Sequence, residues 1–176
     1  MRNRALAVIG TAVLLALSGC TTPEPATPTP TAAFSTEEEA FAAAEETYRA
    51  YVDALNQVDL SDPETFEGVY EWTTGEANAG ERRSLTTMHA DGWRVSGDTA
   101  IQSLDLGSAD RYSGVVTLHV CSDVSAVDVV DENGASVVAT DRPTAQASRV
   151  TLVTVSASDT GLLISNIGGS SHQCGG

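Results

Sequence analysis

The spacing of hydrophobic residues changes at Gly92, and this change constrains the fold more than any other feature of the chain. Before Gly92, apolar side chains recur at the three- and four-residue spacing of helices; after it, they alternate with polar ones as in half-buried strands. Helices followed by strands joined through tight turns predict an α+β fold, with N-terminal helices packed on a curved antiparallel sheet.

Three helices are predicted before Gly92. The first covers residues 36–57, because Ser35 or Thr36 can cap it, Glu37–Glu39 suit its positive end, and one stripe of the segment is apolar. The second starts at Pro63, a residue favoured in a first helical turn, and continues to about residue 72. The third, from residue 76 to about 89, has a weaker helical spacing of apolar residues.

Six strands are predicted after Gly92. The turn at Glu132-Asn133-Gly134 is typical of a tight hairpin, and 158–161 indicates a second one. Consecutive hairpins imply antiparallel pairing. The predicted strands are 93–106, 112–122, 126–131, 135–139, 149–157 and 162–167.

The N-terminus has the parts of an export signal. Arg2 and Arg4 precede an uncharged apolar run, 5–17, which is too short for a membrane span of about 20 residues. The run ends in Leu17-Ser18-Gly19-Cys20, which resembles the lipobox of bacterial lipoproteins, and the Ala-x-Ala of an ordinary secretory site is missing. The resemblance implies cleavage between Gly19 and Cys20 and attachment of palmitate-type acyl chains through Cys20. Residues 1–19 would be the signal peptide.

Residues 20–33 are expected to form the lipidated cysteine and a tether. Thr, Ala and four prolines dominate this segment, and such a composition favours an extended polyproline conformation rather than a core. At about 3.1 Å per residue, its 13 residues after Cys20 would reach roughly 40 Å. A proline-rich docking motif is the alternative, but no basic residue flanks the segment. Residues 34–176 then form one globular domain.

The charge balance excludes some partners. The chain has 24 acidic residues, nine arginines and no lysine, so losing Arg2 and Arg4 with the signal leaves a formal charge of −17. A domain with this charge repels phosphate backbones and anionic headgroups, which makes nucleic acid a poor partner. The lack of lysine beside abundant alanine, valine and arginine suggests a GC-rich genome.

Cys121 and Cys174 remain after Cys20 is assigned to lipidation. Two cysteines in an exported domain predict a disulfide, which would tie the C-terminal segment to a central strand. A metal or redox pair would need further ligands or a Cys-x-x-Cys motif, and the sequence has neither.

The order of elements resembles the nuclear transport factor two-like cone fold, in particular that of high-GC Gram-positive lipoproteins. The resemblance rests on that order, on Trp93 at the helix-to-sheet transition, and on Cys121-Ser122-Asp123 with Cys174. It implies a domain over 34–174. The superfamily includes isomerases, cyclases, dehydratases and non-catalytic modules, so the fold alone does not define an activity.

Enzymes of this superfamily generally use an Asp–His or Asp–Tyr pair inside the cone. By residue type, His119 and Asp123 are the candidates here; their parity places them on one side of a strand, but about 13 Å apart. A half-buried or surface position for His119 is the alternative. His89 is expected to be structural at a helix end, and Arg82-Arg83 to form an internal salt bridge or bind an anion.

No metal site is expected, since His89, His119 and His172 are far apart in sequence and the acidic run 128–134 lacks a calcium-loop pattern. No cofactor motif occurs either. Trp72 and Trp93 are expected either in the core or at the mouth of a pocket.

Besides a purely structural or assembly role at the cell wall, two hypotheses about function follow. The first is a non-catalytic extracellular lipoprotein, held on the outer face of the cell membrane by its lipid, that binds a small molecule or an envelope protein. The alternative is a cone-fold enzyme of the cyclase or isomerase type, with acid–base residues inside the cone.

Overall fold

The computed structural model describes residues 32–174, in which three helices pack on one face of an antiparallel sheet. Helix α1 spans Glu37–Asn56, a 3₁₀ turn at Pro63–Phe66 leads into α2 (Glu67–Glu71), and α3 spans Gly75–Ala90. The strands are β1 (Arg94–Ser96), β2 (Ala100–Asp110), β3 (Val115–Asp123), β4 (Asp128–Val130), β5 (Ala145–Thr154) and β6 (Leu162–Gly169). The predicted α+β class is confirmed. The signal peptide and all of the tether up to residue 31 lie outside the described residues.

Helix α1 begins as its sequence predicts. The Thr36 hydroxyl accepts a hydrogen bond from the Glu39 amide (3.1 Å), and the Glu39 carboxylate accepts one from the Ser35 amide (2.8 Å). These reciprocal bonds satisfy amides that would otherwise lack partners at the helix start. The face that α1 turns to the sheet carries Ala40, Ala44, Thr47, Tyr48, Tyr51 and Val52, all buried.

The main sheet has four strands in the order β2-β3-β5-β6, all antiparallel. Alternate residues of β3 point towards the helices, and aliphatic side chains of β5 and β6 continue the same layer. This concave face is filled by fully buried side chains: Val116, Leu118, Val120, Val150, Leu152, Leu162 and Ile164.

The segment 72–74 joins the helices to the edge of the sheet. The Thr74 amide donates to the Ile164 carbonyl (2.8 Å), and the Ile164 amide donates to the Trp72 carbonyl (3.0 Å). The backbone between α2 and α3 therefore continues the hydrogen bonding of β6. This contact explains why the predicted helices are interrupted at Thr73.

The predicted strand 93–106 is wrong, because the chain breaks at Gly97. This residue has φ +76°, and a Cβ atom there would lie 1.9 Å from the Ala126 carbonyl oxygen, so only glycine fits. The break separates β1 from β2 and places them in different sheets. Strand β1 pairs with β4 in a two-stranded ribbon, with Val95 opposite Val129.

The predicted hairpin between 126–131 and 135–139 is only partly present. Its turn forms: Asp131 Oδ1 accepts from the amides of Asn133 and Ala135, and Gly134 has φ +83°. Residues 135–139 do not form a strand, and only Ser136 makes a bridge, to Val130. On its other edge, β4 pairs with β1 along its length. Strand β5 also starts at Ala145 rather than at residue 149.

Cys121 and Cys174 pair as the sequence analysis expects. Their sulfur atoms are 2.14 Å apart, and their Cα atoms 5.5 Å. The bond fastens residues 170–174 to the outer face of the sheet, where the His172 ring stacks on His119 with centroids 5.2 Å apart.

Opening this disulfide should destabilise the domain. Closure of a loop with a sequence separation of 53 residues contributes about 4 kcal/mol on the chain-entropy model. We expect the Cys121→Ser, Cys174→Ser double variant to lose about that much free energy of unfolding in urea titrations. Wild-type protein in reductant is the control and should match the variant. Recovery of free Cys121 by peptide mapping of the untreated protein would contradict the assignment.

Candidate functional site

A polar cluster lies between the helices and the sheet, formed by Tyr48 and Tyr51 of α1, Glu81 of α3 and Ser122 of β3. The Tyr51 hydroxyl donates to Glu81 Oε1 at 2.7 Å. Burial raises the pKa of Glu81, while the hydrogen bond from Tyr51 partly opposes that rise. Burial and the neighbouring Glu81 carboxylate raise the pKa of Tyr51 well above its ordinary value.

Tyr48 completes this cluster on the sheet side. Burial raises the pKa of its hydroxyl, and a hydrogen bond with Ser122 partly offsets the effect. A carboxyl group with a raised pKa beside a tyrosine is the kind of pair that acid–base catalysis uses. Here, however, aliphatic side chains fill the adjoining sheet face, and the half-buried hydrogen bond between Tyr51 and Glu81 links α1 to α3.

A cleft of about 220 Å³ opens at one end of the domain; we call it the end cleft. It lies between the C-terminal end of α1, helix α3 and the β1–β4 ribbon. Its walls are mostly aliphatic, with few polar groups. The residues that line it are Leu55, Asn56, Val58, Leu60, Leu85, Met88, Val95, Ser96, Gly97, Asp98, Thr99, Val127 and Val129.

Asn56 sets the geometry of the end cleft. Its side-chain Nδ2 donates to the Thr99 carbonyl (3.0 Å), and its Oδ1 accepts from the Thr99 amide (2.9 Å). These two bonds attach the end of α1 to the segment between β1 and β2. Because the amide group is used in this way, Asn56 acts as a clamp, and the cleft presents mainly apolar surface to a ligand.

The structure places His119 and Asp123 on the outer face of the sheet, away from the helices. His119 is paired with Asp105 of β2 on one side and with Arg149 of β5 on the other. The Nδ1 atom of His119 is buried and has no hydrogen-bond partner among the described residues. The ring lies on the face of β3 opposite to Val116, Leu118 and Val120, where it stacks on His172, and so it does not enter the cone.

Asp123 has a local structural role. Its Oδ1 accepts from the Ser125 amide at 2.8 Å, and hydrogen bonds with Ser125 lower the pKa of the carboxyl group. It therefore stabilises the turn after β3. His119 and Asp123 share a face, as their parity indicates, but the structure does not bring them together as an acid–base pair.

His89 and Arg82, which the sequence analysis also singles out, make structural contacts. His89 Nδ1 lies 2.6 Å from the Leu60 carbonyl oxygen, which fixes the wall of the end cleft. The Arg82 guanidinium lies over the Tyr70 ring, 3.8 Å from its centroid, and 3.9 Å from the Glu67 carboxylate. The exposed ion pair adds little stability.

Trp72 and Trp93 are partly buried and pack against the core, and neither lines the end cleft. Within residues 32–174, no group of histidine, cysteine and acidic side chains has the geometry to hold a metal ion. In the same part of the chain, every helix is too short or too polar to cross a membrane.

Comparison with known proteins identifies the fold. No protein-family model and no curated protein matches the sequence. A proposed aromatic ring hydroxylase from Novosphingobium aromaticivorans is similar in structure, with TM-score 0.51 and 11% identity over 77% of this chain and 96% of that one. The likeness shows that the domain has the cone fold that the sequence analysis expects.

Two further solved structures are less similar. The intermembrane space region of the chloroplast protein ARC6 has TM-score 0.49 and 16% identity, over 73% of this chain and 95% of that one. The protein Aln2 from a Streptomyces species has TM-score 0.45 and 18% identity, over 75% of this chain and 90% of that one.

Sequence reasoning missed Glu81 and the end cleft. Helix α3 has only two buried residues, Ala77 and Leu85, so its weak apolar pattern did not mark Glu81 as facing inward. A clue was available: Glu81 lies four residues from both Ala77 and Leu85, and therefore on the same helix face. The end cleft draws on four separate segments, which no local pattern brings together.

The raised pKa of Glu81 should make the free energy of unfolding depend on pH. A carboxyl group whose pKa is raised in the folded state stabilises the fold at low pH, and that contribution disappears as pH rises through the raised value. Glu81→Gln keeps an acceptor for the Tyr51 hydroxyl but cannot ionise. Between pH 4 and pH 8, its free energy of unfolding should therefore rise relative to that of wild type, because only the wild-type side chain loses its proton.

Glu46→Gln is the matched control, because Glu46 is exposed on α1. Its difference from wild type in urea denaturation should stay nearly constant over the same pH range. If the difference between Glu81→Gln and wild type is also constant over this pH range, the pKa of Glu81 is not raised in the folded protein.

Proposed function

We propose that this protein is a lipid-anchored extracellular binding domain, and that its end cleft receives the apolar part of a small molecule. The observation that supports this proposal most directly is the end cleft itself, an aliphatic-walled opening of about 220 Å³. Such a volume is below the ~300–1,000 Å³ of sites for drug-sized ligands, so it suits a short alkyl or small-ring group.

The interior of the cone supports binding over catalysis. Its concave face is filled with aliphatic side chains, which leaves the sheet centre without space for a substrate. Neither Glu81 nor Tyr51 lines the end cleft. The alternative, an enzyme of the cyclase or isomerase type, is favoured only by the Tyr51–Glu81 hydrogen bond and would require the cone to open beside that pair.

The lipid anchor is supported by the sequence Leu17-Ser18-Gly19-Cys20 and by the proline-rich segment after it. Export is also consistent with a paired Cys121 and Cys174, since disulfides persist in oxidising compartments. We therefore propose the outer face of the cell membrane as the location. An envelope protein could use the same cleft by inserting one apolar side chain.

Replacement of Cys20 tests the anchor. Wild-type protein expressed in a bacterium that processes lipoproteins should incorporate labelled palmitate and enter the detergent phase of Triton X-114. Cys20→Ser should lose both properties, because the thiol that carries the lipid is gone. Cys174→Ser is the control and should remain labelled. Palmitate incorporation by Cys20→Ser would contradict the proposal.

Blocking the end cleft tests the binding role. Hexanol, a neutral probe with a short tail, should shift the amide resonances of cleft residues in NMR titrations of the protein. Val95→Trp would fill the cleft and should weaken hexanol binding by at least about tenfold, since burial of only two methylenes is worth more than that.

Val137→Trp provides the matched control. Val95 and Val137 are 36% and 42% exposed, but only Val95 lines the cleft. The Val137 variant should bind hexanol as wild type does. If hexanol shifts resonances of the sheet's outer face and leaves the cleft unchanged, the proposed site is wrong.

A further inference from the structure

The end cleft combines apolar walls with a single charge. Of the thirteen described residues that line it, Asp98 alone has an ionisable side chain. Asp98 is exposed in the segment between β1 and β2, next to Gly97. The carboxylate therefore lies where the apolar cleft meets solvent, which is the position that a polar head group of a bound molecule would occupy.

Among the described residues, no basic side chain forms a salt bridge with this carboxylate. Arg142 donates from Nη2 to the carbonyls of Val124 (2.8 Å) and Val127 (2.7 Å), so its guanidinium is held by backbone oxygens. Arg94, on β1 next to Val95, is not among the residues that line the cleft.

Acidic residues reinforce the negative potential around the opening. Asp128 lies opposite Ser96 in the β1–β4 ribbon, and its carboxylate accepts hydrogen bonds from Val129 and Ser136. The whole chain has a formal charge of −15. An anionic ligand would approach against this field, whereas a cation would be attracted by it.

We propose that the end cleft selects small amphiphilic cations: an alkyl or small-ring group enters the apolar part, and an amine or quaternary ammonium lies beside Asp98. This inference rests on the proposed function, to which it adds the class of ligand. The apolar part supplies most of the affinity, and the charge supplies the selectivity.

Three probes with the same tail and different heads test the inference: hexyltrimethylammonium, hexanol and hexanoate. Each is titrated into the chain without its lipid, residues 21–176, at low ionic strength, and the dissociation constant is taken from NMR shifts of cleft residues. Because an exposed charge pair contributes modestly, we expect the cation to bind roughly two- to fivefold more tightly than the alcohol. Hexanoate should bind more weakly than either.

Asp98→Asn should remove the preference for the cation over hexanol. Asp53→Asn, which removes an exposed carboxylate from α1, is the matched control and should keep the preference. Added salt should reduce the preference in wild type, since screening weakens exposed charge interactions.

The outcomes separate the two proposals. If hexanol binds in the cleft but all three probes bind equally, or hexanoate binds most tightly, the charge selectivity is wrong and the binding role stands. If Asp98→Asn and Asp53→Asn behave alike, Asp98 is not the selecting group, which also overturns the inference. If no probe shifts cleft resonances, the proposed function fails, and this inference fails with it.

Discussion

The close approach of α1 to the concave sheet is the contact on which the rest of the structure depends. Ala40 and Ala44 are fully buried on the face of α1 that meets the sheet. Their small side chains let the helix backbone come near the aliphatic layer of β3, β5 and β6, which fills the cone. Because this layer leaves no central space, the apolar opening that we assign to function lies at the end of α1 instead.

The sequence predicts the elements well and their partners less well. The capping residues Thr36 and Glu39, the amphipathic stripe of α1 and the turn at Asn133-Gly134 are local features, and each is present as predicted. The pairing of strands, in contrast, depends on contacts between distant parts of the chain. Nothing local reveals that Gly97 lies against the carbonyl of Ala126, and this tertiary contact is what divides one predicted strand into β1 and β2.

The same distinction applies to the candidate site. His119 and Asp123 are conspicuous by residue type, yet strand parity puts them on the outer face, beside the C-terminal segment. Glu81 is one of many acidic residues in the sequence, and only its burial against Tyr51 makes it unusual. The end cleft depends on the clamp between Asn56 and Thr99, two polar residues without any distinguishing pattern around them.

The length of α1 has a consequence for how the domain would meet its surroundings. The helix has 20 residues, so it is about 30 Å long. The chain enters at its first turn, where the Ala33 amide donates to the Arg111 carbonyl, while Leu55 and Asn56 at its other end line the cleft. Under the proposed anchoring through Cys20, the length of this helix separates the opening of the cleft from the end of the domain that receives the tether.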